Sequence, residues 1–352
     1  MNEKKLLPNI LLTNICNQSC DYCFAKNEMK WAAKKEMSFA DLQKIVDFLK
    51  KYGRNEIKLM GGEPTLHSRF KEIIDFILDS GFKIYLFTNG LFAPELAVWL
   101  GEKKSSIEYT INLTTPAFQS EAGKKILENN LRILRENAKI TAAITIDDLN
   151  FNYDPLIDFM KKNKIEAANI NIANNLIGAS NWLKWDQYKS FGSVVVSLVK
   201  KLSGINVLEI SLSCGFVPCM FTQKQIEEFN KAGITMNSWG CDSKKGAFDI
   251  STDLNAFPCF VLEDFKAKNL FDFKDAQTVK KFLENLFFYA SDELLKFEPC
   301  HECLYFKRLE CRGPCKGWVI NNLNKQKIFA NLPKTFYYKI IYNLLHLSRN
   351  WI

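Results

Sequence analysis

Apolar positions follow two alternating rhythms over the first 173 residues. Short apolar runs occupy residues 9–15, 56–60, 82–88, 107–114, 140–146 and 167–173, and each reads as a strand. Segments of helical spacing separate them. Ser38 with Asp41 three residues on starts one, whose face carries Phe39, Leu42, Ile45, Val46 and Leu49 before Gly53 stops it. Phe70, Ile73, Ile74, Ile77 and Leu78 form the next, closed by Gly81. Pro94 and Pro155 open two more, and residues 119–137 make a further amphipathic helix. Six strand–helix units joined by right-handed crossovers predict an α/β fold, a curved parallel sheet forming a partial (β/α)6 relative of the eightfold TIM barrel. In such a fold the chemistry sits where strands end and loops begin.

The pattern changes near residue 204. Residues 182–204 mix aromatics with a helical segment at 185–202, and 205–213 read as a strand. Beyond it Cys214, Cys219, Cys241, Cys259, Cys300, Cys303, Cys311 and Cys315 fall within about a hundred residues. The reading is therefore a core over 1–204, a small cysteine-rich domain over 205–320 and a tail over 321–352. In the tail Phe336, Tyr337, Ile340, Ile341, Leu344, Leu345 and Leu347 recur at helical spacing, which predicts a docked helix. An acidic peptide or a membrane surface is the alternative partner for that face.

Charge and composition narrow the function. Net charge is 47 − 39 = +8, and residues 316–352 hold Lys316, Lys325, Lys327, Lys334, Lys339 and Arg349 with no acidic residue. The body is nearly balanced, which argues against a nucleic-acid binder. Pro8, Asn9 and Asn14 interrupt the N-terminal apolar run, so no signal segment is expected, nor any transmembrane span. A cytoplasmic location follows, where eleven cysteines are expected to be metal or cluster ligands rather than disulfides.

Cys16-Asn17-Gln18-Ser19-Cys20-Asp21-Tyr22-Cys23 places three thiols in a loop directly after the first strand. Three thiolates leave a four-iron cubane one ligand short, and the open iron can take a substrate group. A zinc site is the alternative, but zinc takes four ligands and the nearest histidine is His67. Cys16, Cys20 and Cys23, with Tyr22 before the last, resemble the signature of the radical S-adenosylmethionine (radical SAM) superfamily. Gly61-Gly62-Glu63-Pro64, directly after the second strand, resembles that family's second motif.

The resemblance implies one [4Fe–4S] cluster on Cys16, Cys20 and Cys23, with S-adenosylmethionine chelating the fourth iron. Reductive cleavage of the sulfonium would then give a 5′-deoxyadenosyl radical. Backbone at Gly61, Gly62, Glu63 and Pro64 would receive the methionine ammonium, with Glu63 either assisting or serving as a helix-start carboxylate. Tyr22 and Asn112 are counted as cofactor-binding; Thr88, Asn89, Thr145 and Asn171, at strand ends, are candidates for adenosine or simply turn residues. His67 is read as loop packing, and Asp147 and Asp148 as a candidate base or a polar loop.

Cys300-x2-Cys303 and Cys311-x3-Cys315, with Asp253-Leu254-Asn255-Ala256-Phe257-Pro258-Cys259 upstream, resemble the SPASM extension, which carries auxiliary four-iron clusters. Leu254 replaces a usual glycine, the gap from Cys303 to Cys311 is long, and no cysteine follows Cys315 as the usual final ligand. One or two auxiliary clusters are implied; one division is Cys214, Cys219, Cys241 and Cys259 against Cys300, Cys303, Cys311 and Cys315. A structural zinc on the second four is the alternative. The resemblance implies a peptide or protein substrate, and the positive surface of the tail favours an acidic flavodoxin- or ferredoxin-type electron donor. A small-molecule substrate such as a sugar or amine, or a zinc-stabilised binding module, are the competing readings.

Overall fold

The computed structural model describes residues 8–173, 183–213, 215–236, 239, 248–265, 269–273, 278–279 and 298–322. Cys214, Cys241 and the tail helix expected at 332–352 lie outside them.

The strands are β1 Asn9–Leu11, β2 Glu56–Met60, β3 Lys83–Thr88, β4 Ile107–Asn112, β5 Ile140–Ile146 and β6 Ala167–Ile172. Four shorter ones follow: β7 Glu209–Leu212, β8 Thr235–Met236, β9 Asp249–Ile250 and β10 Ala256–Phe257. One sheet holds them in the order β10-β9-β1-β2-β3-β4-β5-β6-β7-β8. Every neighbouring pair is parallel except β9 with β10.

The helices between strands form as their caps predict. After a short α1 (Lys26–Trp31) comes α2 (Phe39–Lys51), where the Ser38 side chain accepts from Asp41 N and Leu42, Ile45, Val46 and Leu49 are buried. α3 (Phe70–Asp79) buries Ile73, Ile74 and Ile77, and α4 (Pro94–Gly101) opens on its proline. α5 is Glu121–Leu134 and α6 is Asp154–Lys162. Their apolar faces share one core with alternate strand residues such as Ile84, Leu86, Ala142, Ile144 and Ile170. The partial-barrel α/β fold therefore stands.

Three boundaries differ from expectation, each for a local reason. β1 ends at Leu11, not residue 15, because the chain beyond it is diverted: the Asn14 side chain donates to Thr252 Oγ1 at 2.8 Å and to Lys34 O at 3.1 Å. The 119–137 helix begins at Glu121, since the Ser120 side chain caps it after a 3-10 turn, Pro116–Gln119. The 205–213 strand shrinks to Glu209–Leu212 because Asn206 turns the chain at φ +64° before it can extend.

The sheet is also longer than six strands. β7 and β8 extend one edge and β9 and β10 the other, so the boundary expected near residue 204 falls inside one continuous sheet. Two-residue strands carry no periodicity from which sequence could have placed them.

The sheet face away from the helices is polar. Register aligns Asn112, Ala143, Asn169 and Ser211 across β4 to β7, all half-buried or less covered than their neighbours. Lower down, Lys58, Asn9 and Asp249 stand side by side across β2, β1 and β9. Asn9 Nδ2 donates to Asp249 Oδ1 at 2.5 Å. Burial pushes the Asp249 carboxyl up to about 7, against the pull of Asn9, Phe260 N and Lys58. An acid whose folded value lies above its unfolded one stabilises the fold fully below the unfolded value, near ~3.9, and loses that contribution as pH rises toward the folded one. Asp249→Asn is expected to flatten this decline, by up to about 1.4 kcal/mol per pH unit. Urea melts of both proteins between pH 5 and 7.5 check it; parallel slopes would mean that Asp249 stays ionised beside Lys58.

Candidate active site

The cysteine loop is held at the strand ends by the residues between its thiols. Asn17 Nδ2 donates to Leu91 O at 3.0 Å, and Asn17 Oδ1 accepts from Asn89 Nδ2 at 2.7 Å, tying the loop to the end of β3. Gln18 Oε1 accepts from Ala117 N at 2.9 Å, tying it to the turn after β4. The Tyr22 hydroxyl donates to Thr114 O at 2.8 Å and accepts from Asn112 Nδ2 at 3.1 Å. Tyr22 and Asn112, expected to contact the cofactor, thus contact each other and brace the loop. Asn17 and Gln18 were not singled out from sequence; their only signal was that amide side chains filled the spaces between the cysteines.

The glycines of the second motif are required by contact. Gly62 N donates to Thr13 O at 2.7 Å and Glu63 N to Ile15 O at 2.8 Å, laying the motif against the start of the cysteine loop. A Cβ on Gly61 would sit 2.5 Å from Thr13 O, and one on Gly62 2.4 Å from Ile15 O and 3.0 Å from Cys16 Cβ. No side chain fits there.

Glu63 is fully buried, and its carboxylate is spoken for. Oε1 accepts from Thr88 Oγ1 and Thr65 Oγ1, each at 2.7 Å, and from Thr65 N at 3.2 Å; Oε2 accepts from Asn89 N at 2.7 Å. Burial pushes this carboxyl up, while the bonds from Asn89, Thr88 and Thr65 oppose the shift. The side chain caps the turn Pro64–Leu66 and staples β2 to β3, which is the helix-start role. Thr88 and Asn89 belong to the same staple. His67 is buried; Arg69 N donates to Nδ1 at 3.0 Å, so Nε2 donates to Met37 O at 2.9 Å. It packs the loop, as expected.

Further round the rim, Thr145 N donates to Thr114 Oγ1 at 3.2 Å and Ser213 Oγ to Asn171 Oδ1 at 2.5 Å. Asn169 Oδ1 is buried with no hydrogen-bond partner, an acceptor turned to no protein donor. Burial raises the Asp147 carboxyl, helped by Asp148 and by Asp21 of the cysteine loop. Asp148 accepts from Asn150 N at 3.0 Å, a turn contact.

Cys16, Cys20 and Cys23 are free and half-buried. Burial raises all three thiols, and Cys20 reaches about 11 with Cys23 and Cys16 adding to the shift and the Tyr22 hydroxyl opposing it. Thiolates so placed need a strong positive charge, which an iron cluster supplies. The donor set and the glycine cradle beside Cys16 fit a cluster with an open coordination site. Among the described residues no three His, Cys, Asp or Glu side chains converge on a point that one metal ion could occupy.

The hairpin β9–β10 abuts this loop. Phe24 and Phe260 rings lie 5.1 Å apart, and Asp253 accepts from the backbone N of Ala33 and Lys34, both at 3.2 Å. Leu254, where a glycine is usual, has φ +65°, the left-handed conformation that explains the usual residue. Cys259 follows this hairpin.

The remaining cysteines gather elsewhere. Cys219 lies on the turn Pro218–Met220, packed so tightly on α7 (Tyr188–Gly204) that a Cβ at Gly192 would meet Met220 O at 1.9 Å. The Tyr305 hydroxyl donates to Gln223 Oε1 at 2.7 Å and Arg312 N to Trp239 O at 3.0 Å, folding residues 304–312 over the segment after β7. Burial pushes the Cys219 thiol up to about 12, and the neighbours adding to it are Cys311, Cys300 and Cys303. Cys311 is pushed up to about 11, chiefly by burial, with Cys300 and Cys303 adding and Lys316 opposing.

A polar strand-end rim, a three-thiol loop and a glycine cradle on a partial parallel barrel define a class, and comparison names it. Residues 10–169 match the family model of the radical SAM superfamily, and the chain carries a radical SAM domain. A similar protein is the S-adenosylmethionine-dependent nucleotide dehydratase of Selenomonas ruminantium, 35% identical over 96 residues, or 25% of this chain and 34% of that one. Another is a probable GTP 3′,8-cyclase of Saccharolobus islandicus, 32% identical over 120 residues, 33% of this chain and 37% of that one. The chain thus spans about a third of the length of these curated relatives. Among solved structures, anSMEcpe with bound AdoMet has a TM-score of 0.61 at 18% identity, covering 92% of this chain and 96% of its own. Streptococcus suis SuiB bound to precursor peptide SuiA has a TM-score of 0.62 at 16% identity, covering 90% of this chain and 73% of its own. At these identities the likeness is one of fold.

Proposed function

We propose that this protein is a radical SAM enzyme acting on a peptide or protein, with an auxiliary iron–sulfur region formed by its later cysteines. The observation that carries the first half is the packing of Gly62 against Ile15 and Cys16, which sets a backbone cradle beside three free thiols. Cys16, Cys20 and Cys23 would hold the cluster, and backbone at Gly61 and Gly62 would approach the methionine end of S-adenosylmethionine. When bound, the cluster and S-adenosylmethionine supply a one-electron cleavage of the sulfonium and a carbon-centred radical able to take a hydrogen atom. The protein's own part is positional. Tyr22, Asn17 and Gln18 fix the loop, Glu63 locks the cradle to β3, and Asn169 offers a buried acceptor on the face that a bound group would meet.

The peptide half draws support from extent of fold. The likeness to SuiB, solved with its precursor peptide SuiA, runs over nine-tenths of this chain, past the barrel and into the cysteine-rich part. A one-electron donor of the flavodoxin or ferredoxin type completes the scheme, in a cytoplasmic setting. No helix among the described residues is long and apolar enough to cross a membrane. A small-molecule substrate is the second reading, favoured by the names of the curated relatives, a nucleotide dehydratase and a cyclase. Reconstituted, dithionite-reduced protein with S-adenosylmethionine is to be offered short peptides encoded beside its gene and, separately, nucleotides and sugars. A mass change in a peptide, matched by deoxyadenosine release, is expected; turnover of a nucleotide or sugar with every peptide inert would overturn the reading.

A further inference from the structure

The β9–β10 hairpin grips the cysteine loop at both ends, although Asn14 and Thr252 are 238 positions apart. Asn14 stands two residues before Cys16. Its side chain donates to Thr252 Oγ1 at 2.8 Å and to Lys34 O at 3.1 Å, and Thr252 Oγ1 donates to the same carbonyl at 2.8 Å. Thr252 is fully buried and Asn14 nearly so. Asn14 Oδ1, by contrast, is buried with no hydrogen-bond partner, which costs stability. The amide therefore fixes the direction of the chain rather than maximising stability. Asp253 holds the backbone alongside, accepting from Ala33 N and Lys34 N at 3.2 Å. Residues 35–37 then run antiparallel to 12–14, with Asn14 N donating to Lys35 O at 2.7 Å and Met37 N to Leu12 O at 2.8 Å. At the far end of the loop, Cys23 packs on a buried cluster of Leu11, Ala25, Phe257 and Phe260. The Phe260 ring lies 5.1 Å from Phe24 and 5.1 Å from Phe257.

We propose that Thr252, with Asp253 beside it, is a positioning residue for S-adenosylmethionine binding, acting through Asn14. This rests on the reading of Cys16, Cys20 and Cys23 as cluster ligands in the proposed function. The residues on either side of Asn14 carry the acceptors of the glycine cradle: Gly62 N donates to Thr13 O and Glu63 N to Ile15 O. Residues 13–15 thus join the hairpin to the cradle and to the first thiol, and a shift at Asn14 moves both. Asn17, Gln18 and Tyr22 brace the loop from the barrel side. The hairpin braces it from the part of the chain beyond residue 204, which thereby sets the geometry of a site built from the first ninety residues.

The full chain is reconstituted anaerobically and its iron counted. Binding of radiolabelled S-adenosylmethionine is followed by equilibrium dialysis, together with the change that it makes in the electron paramagnetic resonance spectrum of the reduced protein. Thr252→Val keeps the side chain's shape and removes both hydroxyl bonds. It is expected to weaken binding about 3- to 10-fold, the scale of one net hydrogen bond, and to leave less of the signal shifted by ligand. Thr252→Ser should restore both. Asp253→Ala, at a solvent-exposed contact, should act in the same direction without threatening the fold. Tyr153→Phe removes a hydrogen bond of 2.6 Å to Ser197, joining the start of α6 to α7 without touching the loop, and should bind as wild type. Iron lost from Thr252→Val and not from Tyr153→Phe reports the same displacement and supports the assignment. Wild-type affinity in both hairpin variants, or an equal loss in Tyr153→Phe, overturns it. A wild-type spectrum indifferent to S-adenosylmethionine overturns instead the cluster reading on which it rests.

Discussion

Replacing Cys16, Cys20 and Cys23 together by Ala is expected to abolish deoxyadenosine release from S-adenosylmethionine under a strong reductant, a loss of at least ~10³-fold. The bond cleavage belongs to the cofactor, so without its ligands nothing in the protein substitutes for it. The fold should survive. The loop hangs from Asn17, Gln18 and Tyr22, whose partners Leu91, Ala117, Asn112 and Thr114 are untouched by the change. Thermal unfolding close to that of wild type, together with lost release, is the expected pair of results. Release that persists in the triple variant would remove the cysteine loop from the chemistry.

Gly62→Ala tests the cradle while leaving all three thiols in the sequence. Its new methyl would press on Ile15 O at 2.4 Å and Cys16 Cβ at 3.0 Å, and backbone rather than a movable side chain receives it. Overpacking of this kind costs about 1–3 kcal/mol. Since the displaced backbone carries Cys16, both cluster loading and S-adenosylmethionine binding should fall. Gly204→Ala provides the contrast: a methyl there meets nothing within 4 Å, and the change is expected to be neutral or stabilising by up to about 1 kcal/mol. Denaturant melts and iron content of the two variants separate the effects. Equal behaviour of Gly62→Ala and Gly204→Ala would mean that the cradle yields.

The thiol triplet and the glycine motif were legible because their chemistry is local. Spacing within eight residues, and a glycine pair at the end of an apolar run, need no tertiary knowledge. The helical faces of α2 and α3 and the strands β2 and β5 were equally plain, since each carries its full period and its own cap. Polar residues at the rim were harder. Sequence placed Tyr22 and Asn112 at the cofactor and left Glu63 either there or at a helix start; the hydrogen bonds these three make within the protein could not be read from it. A side chain's partner depends on which loop lies opposite, and that is a property of the sheet.

Sequence alone thus determined the helix and strand rhythm, the placement of both motifs after β1 and β2, and the stock of cysteines. Tertiary structure decided where the later cysteines are carried: the turn bearing Cys219 is pinned on α7, and Tyr305 ties residues 304–312 to Gln223 just beyond it. It also decided that the chain beyond residue 204 returns to both edges of the sheet, through strands two to four residues long. Such pairings are set by contacts between residues up to 240 positions apart, as in Asn9 with Asp249, and no local pattern encodes them.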